Sequence, residues 1–168
     1  MPIRLTDIDG RWRFDKKTVA EFQVVGTHSS GYFYNPDTNQ DEYRTGKGLG
    51  YRVWAERSGR NLYMNYLATG RTRDYRSDVG FSQRTDTNYL GSFIRYETDR
   101  DAKKSIIYKR LFNESNVSFD WKGRSQLVRS NTQGMLAFQR QTYLGGGGEL
   151  GYERVFEYEF GPSRSANL

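Results

Sequence analysis

Apolar and polar residues alternate with a period of two along most of the chain. Ala20, Phe22 and Val24 alternate with Glu21 and Gln23. Leu49, Tyr51, Val53 and Ala55 alternate with Gly50, Arg52, Trp54 and Glu56. Leu62, Met64, Tyr66 and Ala68 alternate with Tyr63, Asn65, Leu67 and Thr69. Near the end, Leu150, Tyr152, Phe156, Tyr158 and Phe160 oppose Glu149, Glu153, Glu157 and Glu159, with Arg154 interrupting the apolar set. A period of two puts the two sets on opposite faces of a strand. Two segments alternate poorly. In Thr87–Thr98 both Tyr89/Phe93 and Leu90/Ile94/Tyr96 qualify as the apolar face, and in Ser105–Trp121 Lys109 and Asn113 break the pattern. Helical spacing persists nowhere.

Short polar breaks separate the alternating runs. Asp15-Lys16-Lys17, Ser58-Gly59-Arg60, Lys122-Gly123-Arg124 and the slightly longer Asp99–Lys104 read as hairpin turns. Gly31–Gly46 and Arg73–Asp86 read as longer loops. The pattern predicts about eight strands, near 3–14, 18–30, 47–57, 61–72, 87–98, 105–120, 125–139 and 142–160. The fold expected is all-β: an antiparallel up-and-down β-barrel or barrel segment, one domain over 1–168, with 161–168 a flexible tail. Turns alternating short and long suit an outer-membrane barrel, although the break at 122–124 is short where that rule wants a long one.

Composition narrows the class. Of 168 residues, 27% are charged and 15% aromatic, with 13 Tyr and only 3 Pro. That is too aromatic for a disordered chain and too charged for a bundle of membrane helices. With no Cys and one His, disulfides, thiolate metal sites and sites built on two imidazoles are excluded. The net charge of +6 comes from scattered basic residues, so nucleic acid is not an expected partner. Met1-Pro2-Ile3-Arg4 leads straight into polar sequence, without a secretory leader. A membrane barrel would therefore be part of a longer precursor.

Two stretches carry a family likeness: Asp78-Val79-Gly80-Phe81-Ser82-Gln83-Arg84-Thr85-Asp86, and Asn116-Val117-Ser118-Phe119-Asp120-Trp121-Lys122-Gly123-Arg124-Ser125. Both resemble the C-terminal barrel region of bacterial outer-membrane proteins of unknown function that carry an N-terminal domain similar to family 9 carbohydrate-binding modules. The likeness runs through most of residues 10–161 and lacks that N-terminal domain. It implies an outer-membrane location and no catalytic residues.

Candidate chemistry is sparse. His28 beside Ser29 suggests a base and a nucleophile, but neighbours on a strand face opposite ways, and no nucleophile elbow is present. Glu157 and Glu159 would stand about 6.6 Å apart on one strand face, within the range for paired-carboxylate glycoside chemistry. The competing reading is a hydrated lumen lining, in which Glu149, Glu153 and Glu157 meet Arg52, Arg95 or Arg129, with Asn65 beside them. Gly145-Gly146-Gly147-Gly148 precedes a strand rather than a helix, so it reads as a bend or close strand packing and not a phosphate cradle. Trp12, Trp54 and Trp121 lie near strand ends, as an aromatic girdle would.

The expectation is an outer-membrane barrel segment with a structural or passive transport role, leaning away from catalysis, with no cofactor and no metal. Its partners would be a lipid bilayer or detergent, an oligosaccharide, or other copies through strand edges. The alternatives are a soluble β-sandwich or small barrel binding carbohydrate through aromatics, and a small glycan or ester hydrolase on that scaffold.

Overall fold

A computed structural model describes residues 3–35, 39–76, 85–155 and 158–167. These form nine strands: β1 Ile3–Arg13, β2 Thr18–Asn35, β3 Gln40–Ser58, β4 Leu62–Arg71, β5 Thr87–Glu97, β6 Ile106–Phe119, β7 Ser125–Phe138, β8 Tyr143–Val155 and β9 Tyr158–Asn167. They make one sheet in sequence order, every neighbour antiparallel. The expected up-and-down antiparallel architecture is what forms. The sheet is open, with β1 and β9 at its edges.

The turns follow their chemistry. At 14–17, Asp15 accepts the Lys17 N–H at 2.6 Å and the Thr18 hydroxyl at 3.2 Å. At 120–124, Asp120 Oδ1 accepts the N–H groups of Lys122 and Arg124 at 3.0 and 2.8 Å, and Gly123 takes φ +80°. The turns at 59–61 and 98–105 are tied together by Arg60 Nε to Asp99 at 2.9 Å.

Several expectations need correction. The loop expected over 31–46 is mostly strand: β2 and β3 pair as far as Asn35↔Gln40. Both outrun β1, whose pairing stops at Ser29, so a two-stranded ribbon projects from the sheet. Tyr32 and Tyr43 brace it edge to face, centroids 5.3 Å apart. The strand expected over 142–160 is two strands, and the tail expected over 161–168 pairs with β8 as far as Gly147↔Asn167. Phe160 therefore stands opposite Glu153 rather than in line with Leu150 and Tyr152.

The register sorts side chains into two faces. One cross-strand row runs Phe22, Val53, Ala68, Leu90, Val117, Val128 and Tyr152. The next runs Asp9, Gln23, Arg52, Thr69, Tyr89, Ser118, Leu127 and Glu153 on the opposite face. The ladder also settles both ambiguous segments. Leu90, Ile94 and Tyr96 join the apolar face, while Tyr89 and Phe93 join the polar one, where Tyr89 bonds Asn116 at 2.6 Å. Asn113 does lie on the apolar face. Its amide donates to Thr132 Oγ1 at 2.8 Å and Ser130 Oγ at 3.2 Å, and its carbonyl accepts from Ser115 at 2.9 Å. The polar interruption is satisfied internally.

The sheet encloses no core. Ala137 is the single buried hydrophobic residue among the described residues, and Ile8 and Leu111 are 66% and 51% exposed. Accessible surface totals 12465 Å² for 19.6 kDa. A compact soluble monomer of that mass would expose about 8,600 Å².

Candidate functional site on the polar face

Lateral hydrogen bonding places charges from adjacent strands side by side on the polar face. Arg129 of β7 meets Glu149 of β8, Nε to Oε1 at 2.8 Å. Both are substantially exposed, so the pair is worth about 0.2–1 kcal/mol. Arg11 similarly meets Glu21 at 3.2 Å across β1 and β2. Glu153 and Glu149 line a shallow cleft of about 290 Å³ with Arg129, Leu127 and Phe160. Arg95 pairs within its own strand, reaching Glu97 at 3.9 Å.

The remaining candidates disperse. Asn65 stands between Glu56 and Phe93 on neighbouring strands. Glu159 stands opposite Arg154. Glu157 lies outside the described residues, as does most of the stretch beginning at Asp78, so the two-carboxylate geometry has one described member. Among the described residues, no three acidic or histidine side chains gather as a metal would require.

His28 and Ser29 do not form a catalytic pair. His28 lies in the ladder between Arg4 and Lys47, exposed on the apolar-face side. Ser29 points to the other face and is buried, at 2% exposure. Strand alternation separates the base from the nucleophile. Trp54 also departs from the expected girdle: paired with Glu21 and Leu67, it lies on the polar face. Trp12 and Trp121 remain exposed near opposite ends of the apolar face. Trp12 stacks on Phe22 at 4.9 Å, and Trp121 Nε1 donates to Arg71 O at 2.8 Å.

An aromatic run crosses the polar face. Tyr63, Phe93 and Phe112 stand on β4, β5 and β6, with centroids 5.9 and 6.1 Å apart. Arg95 lies 5.6 Å over the Tyr63 ring and Arg110 5.5 Å over Phe112. Two features escaped the sequence reading. One is this run, because the register that aligns it is set by turns. The other is a segment after β4 that lies over Gly46, Gly48 and Gly50; three glycines at alternate positions are its only sequence signal.

No family model, no curated protein and no solved structure matches the chain.

Proposed function

We propose that this sheet is part of the wall of an antiparallel barrel in a bacterial outer membrane, with a passive structural or transport role. One observation carries the reading: a single-layer sheet exposes most of its large apolar side chains along one face and holds the Arg11–Glu21, Arg95–Glu97 and Arg129–Glu149 pairs on the other. Exposed apolar patches of more than a few hundred Å² are rare on soluble monomers. On β3 the apolar positions run from Leu49 to Ala55, about 20 Å of strand, near the ~25 Å apolar band of such barrels. The likeness of 116–125 to barrel proteins of that membrane points the same way.

The test is detergent dependence. The full chain should fold into micelles and associate or precipitate once detergent is withdrawn. A folded monomer in plain buffer would overturn the reading.

A second reading, carbohydrate binding, draws support from the Tyr63–Phe93–Phe112 run, since sugar faces stack on aromatic rings. Calorimetry with an oligosaccharide checks it: Phe93→Ala should weaken any binding about tenfold, and no effect would remove this support.

A further inference from the structure

Gly46, Gly48 and Gly50 leave the polar face of β3 without side chains over three alternate positions. The chain following β4 occupies the space. Thr72 N–H donates to Leu49 O at 2.9 Å, and its hydroxyl accepts the Leu49 N–H at 2.9 Å. Tyr75 N–H turns back to Thr72 O at 3.1 Å. Arg76 N–H donates to Thr27 Oγ1 at 3.4 Å, and that hydroxyl donates to Gly48 O at 3.4 Å. A Cβ at Gly48 would collide with the Tyr75 backbone; one at Gly50 would stand 2.7 Å from the Tyr75 ring, and one at Gly46 would stand 3.2 Å from Asp74 Cβ. Residues 72–76 are thus a strap laid across β2 and β3, fitted to a strand stripped to receive it.

The strap adds Arg73 and Arg76 to a face that already carries Arg52 and Arg71. Ser29, Thr45, Gly46, Arg73, Asp74 and Arg76 line a polar cleft of about 470 Å³. Arg52, Arg71 and Tyr75 line a second, smaller cleft of about 120 Å³. Arg71 lies 6.0 Å over the Tyr75 ring. Among the described residues, four arginines and one aspartate line the two clefts. Clefts in which one sign of charge predominates concentrate counter-ions, and guanidinium forks match carboxylate and phosphate oxygens.

We propose that the strap makes this part of the polar face an anion-binding constriction, taking small solutes that carry phosphate or carboxylate. The proposal rests on the barrel reading, because only in a barrel is the polar face a lumen.

Inorganic phosphate titrated into the full chain in zwitterionic detergent, followed by ³¹P line broadening, tests it. Saturable binding is expected. Arg73→Gln with Arg76→Gln should weaken it about tenfold or more, as when a charged hydrogen-bond partner is lost. Gly48→Val should weaken it through strap displacement with the circular dichroism of the sheet unchanged. Arg140→Gln, in the β7–β8 turn, should leave it unchanged. Absence of saturable binding to the folded chain, equal weakening by Arg140→Gln, or a response only to anionic lipid vesicles would overturn the proposal and leave the membrane reading standing. Phosphate binding by a chain that is monomeric without detergent would keep the cleft and remove the lumen.

Discussion

Asp120 shows how one side chain ties together what the chain separates. It is 2% exposed and sits in the β6–β7 turn. Arg124 Nε reaches its Oδ2 at 2.6 Å, and Arg154, the residue that interrupts the apolar set of β8, approaches at 3.6 Å. Burial opposes ionisation, but the Arg124 N–H, its guanidinium and the Lys122 N–H outweigh burial and hold the carboxyl below its ordinary range. A carboxylate with a lowered folded pKa stabilises the fold above its unfolded pKa, and that stabilisation is lost as pH falls through the folded value. Asp120→Asn should therefore be destabilising in urea at pH 7, with the gap from wild type closing as pH falls below the ordinary aspartate value of about 3.9; a constant gap would contradict this. Adjacent residues test the faces. Tyr66→Arg on the apolar face should cost about 2–4 kcal/mol if that face meets lipid. Asn65→Arg, opposite Glu56, should be tolerated; equal loss of folding yield in liposomes would count against the assignment.

Turns and strands differ in how plainly the sequence announces them. The hairpin breaks at 15–17, 58–60 and 122–124 were readable because Asp and Gly there have local roles, independent of distant contacts. Gly123→Ala shows this in reverse: at φ +80° with nothing within 4 Å of the added Cβ, the cost is backbone strain alone, about 1–2 kcal/mol, measurable by denaturant titration. The ribbon of β2 and β3 was unreadable as strand, since Gly31, Asn35 and Gly46 carry turn composition and cross-strand bonds impose the conformation. Likewise β9 was hidden, because Gly161-Pro162-Ser163 reads as a tail until β8 supplies its partner. In β8, Gly147 fits so closely against β7 that a Cβ would stand 2.6 Å from Thr132 O, so of the bend or close packing expected at the glycine run it is close packing within a continuous strand that forms.

The whole sheet poses a closure problem that an eight-strand count conceals. With nine strands in a meander, β1 and β9 run in the same direction. Joining them directly would make a parallel seam, so antiparallel closure needs an odd number of strands between them. Cysteine pairs placed across β1 and β9 should not cross-link within one chain; efficient intramolecular cross-linking would contradict the open sheet. In lipid such edges must be paired, because no water satisfies their backbone groups. The central claim concerns the other boundary, between the apolar face and its surroundings. The chain has no native cysteine, so single nitroxide labels can be placed in turn at positions 51 to 55 of β3 in liposomes. Collision with oxygen, which partitions into lipid, should be high at Tyr51, Val53 and Ala55 and low at Arg52 and Trp54, with a water-soluble nickel chelate showing the opposite alternation. Uniform accessibility to the chelate along all five positions would contradict the claim that this face lies in lipid.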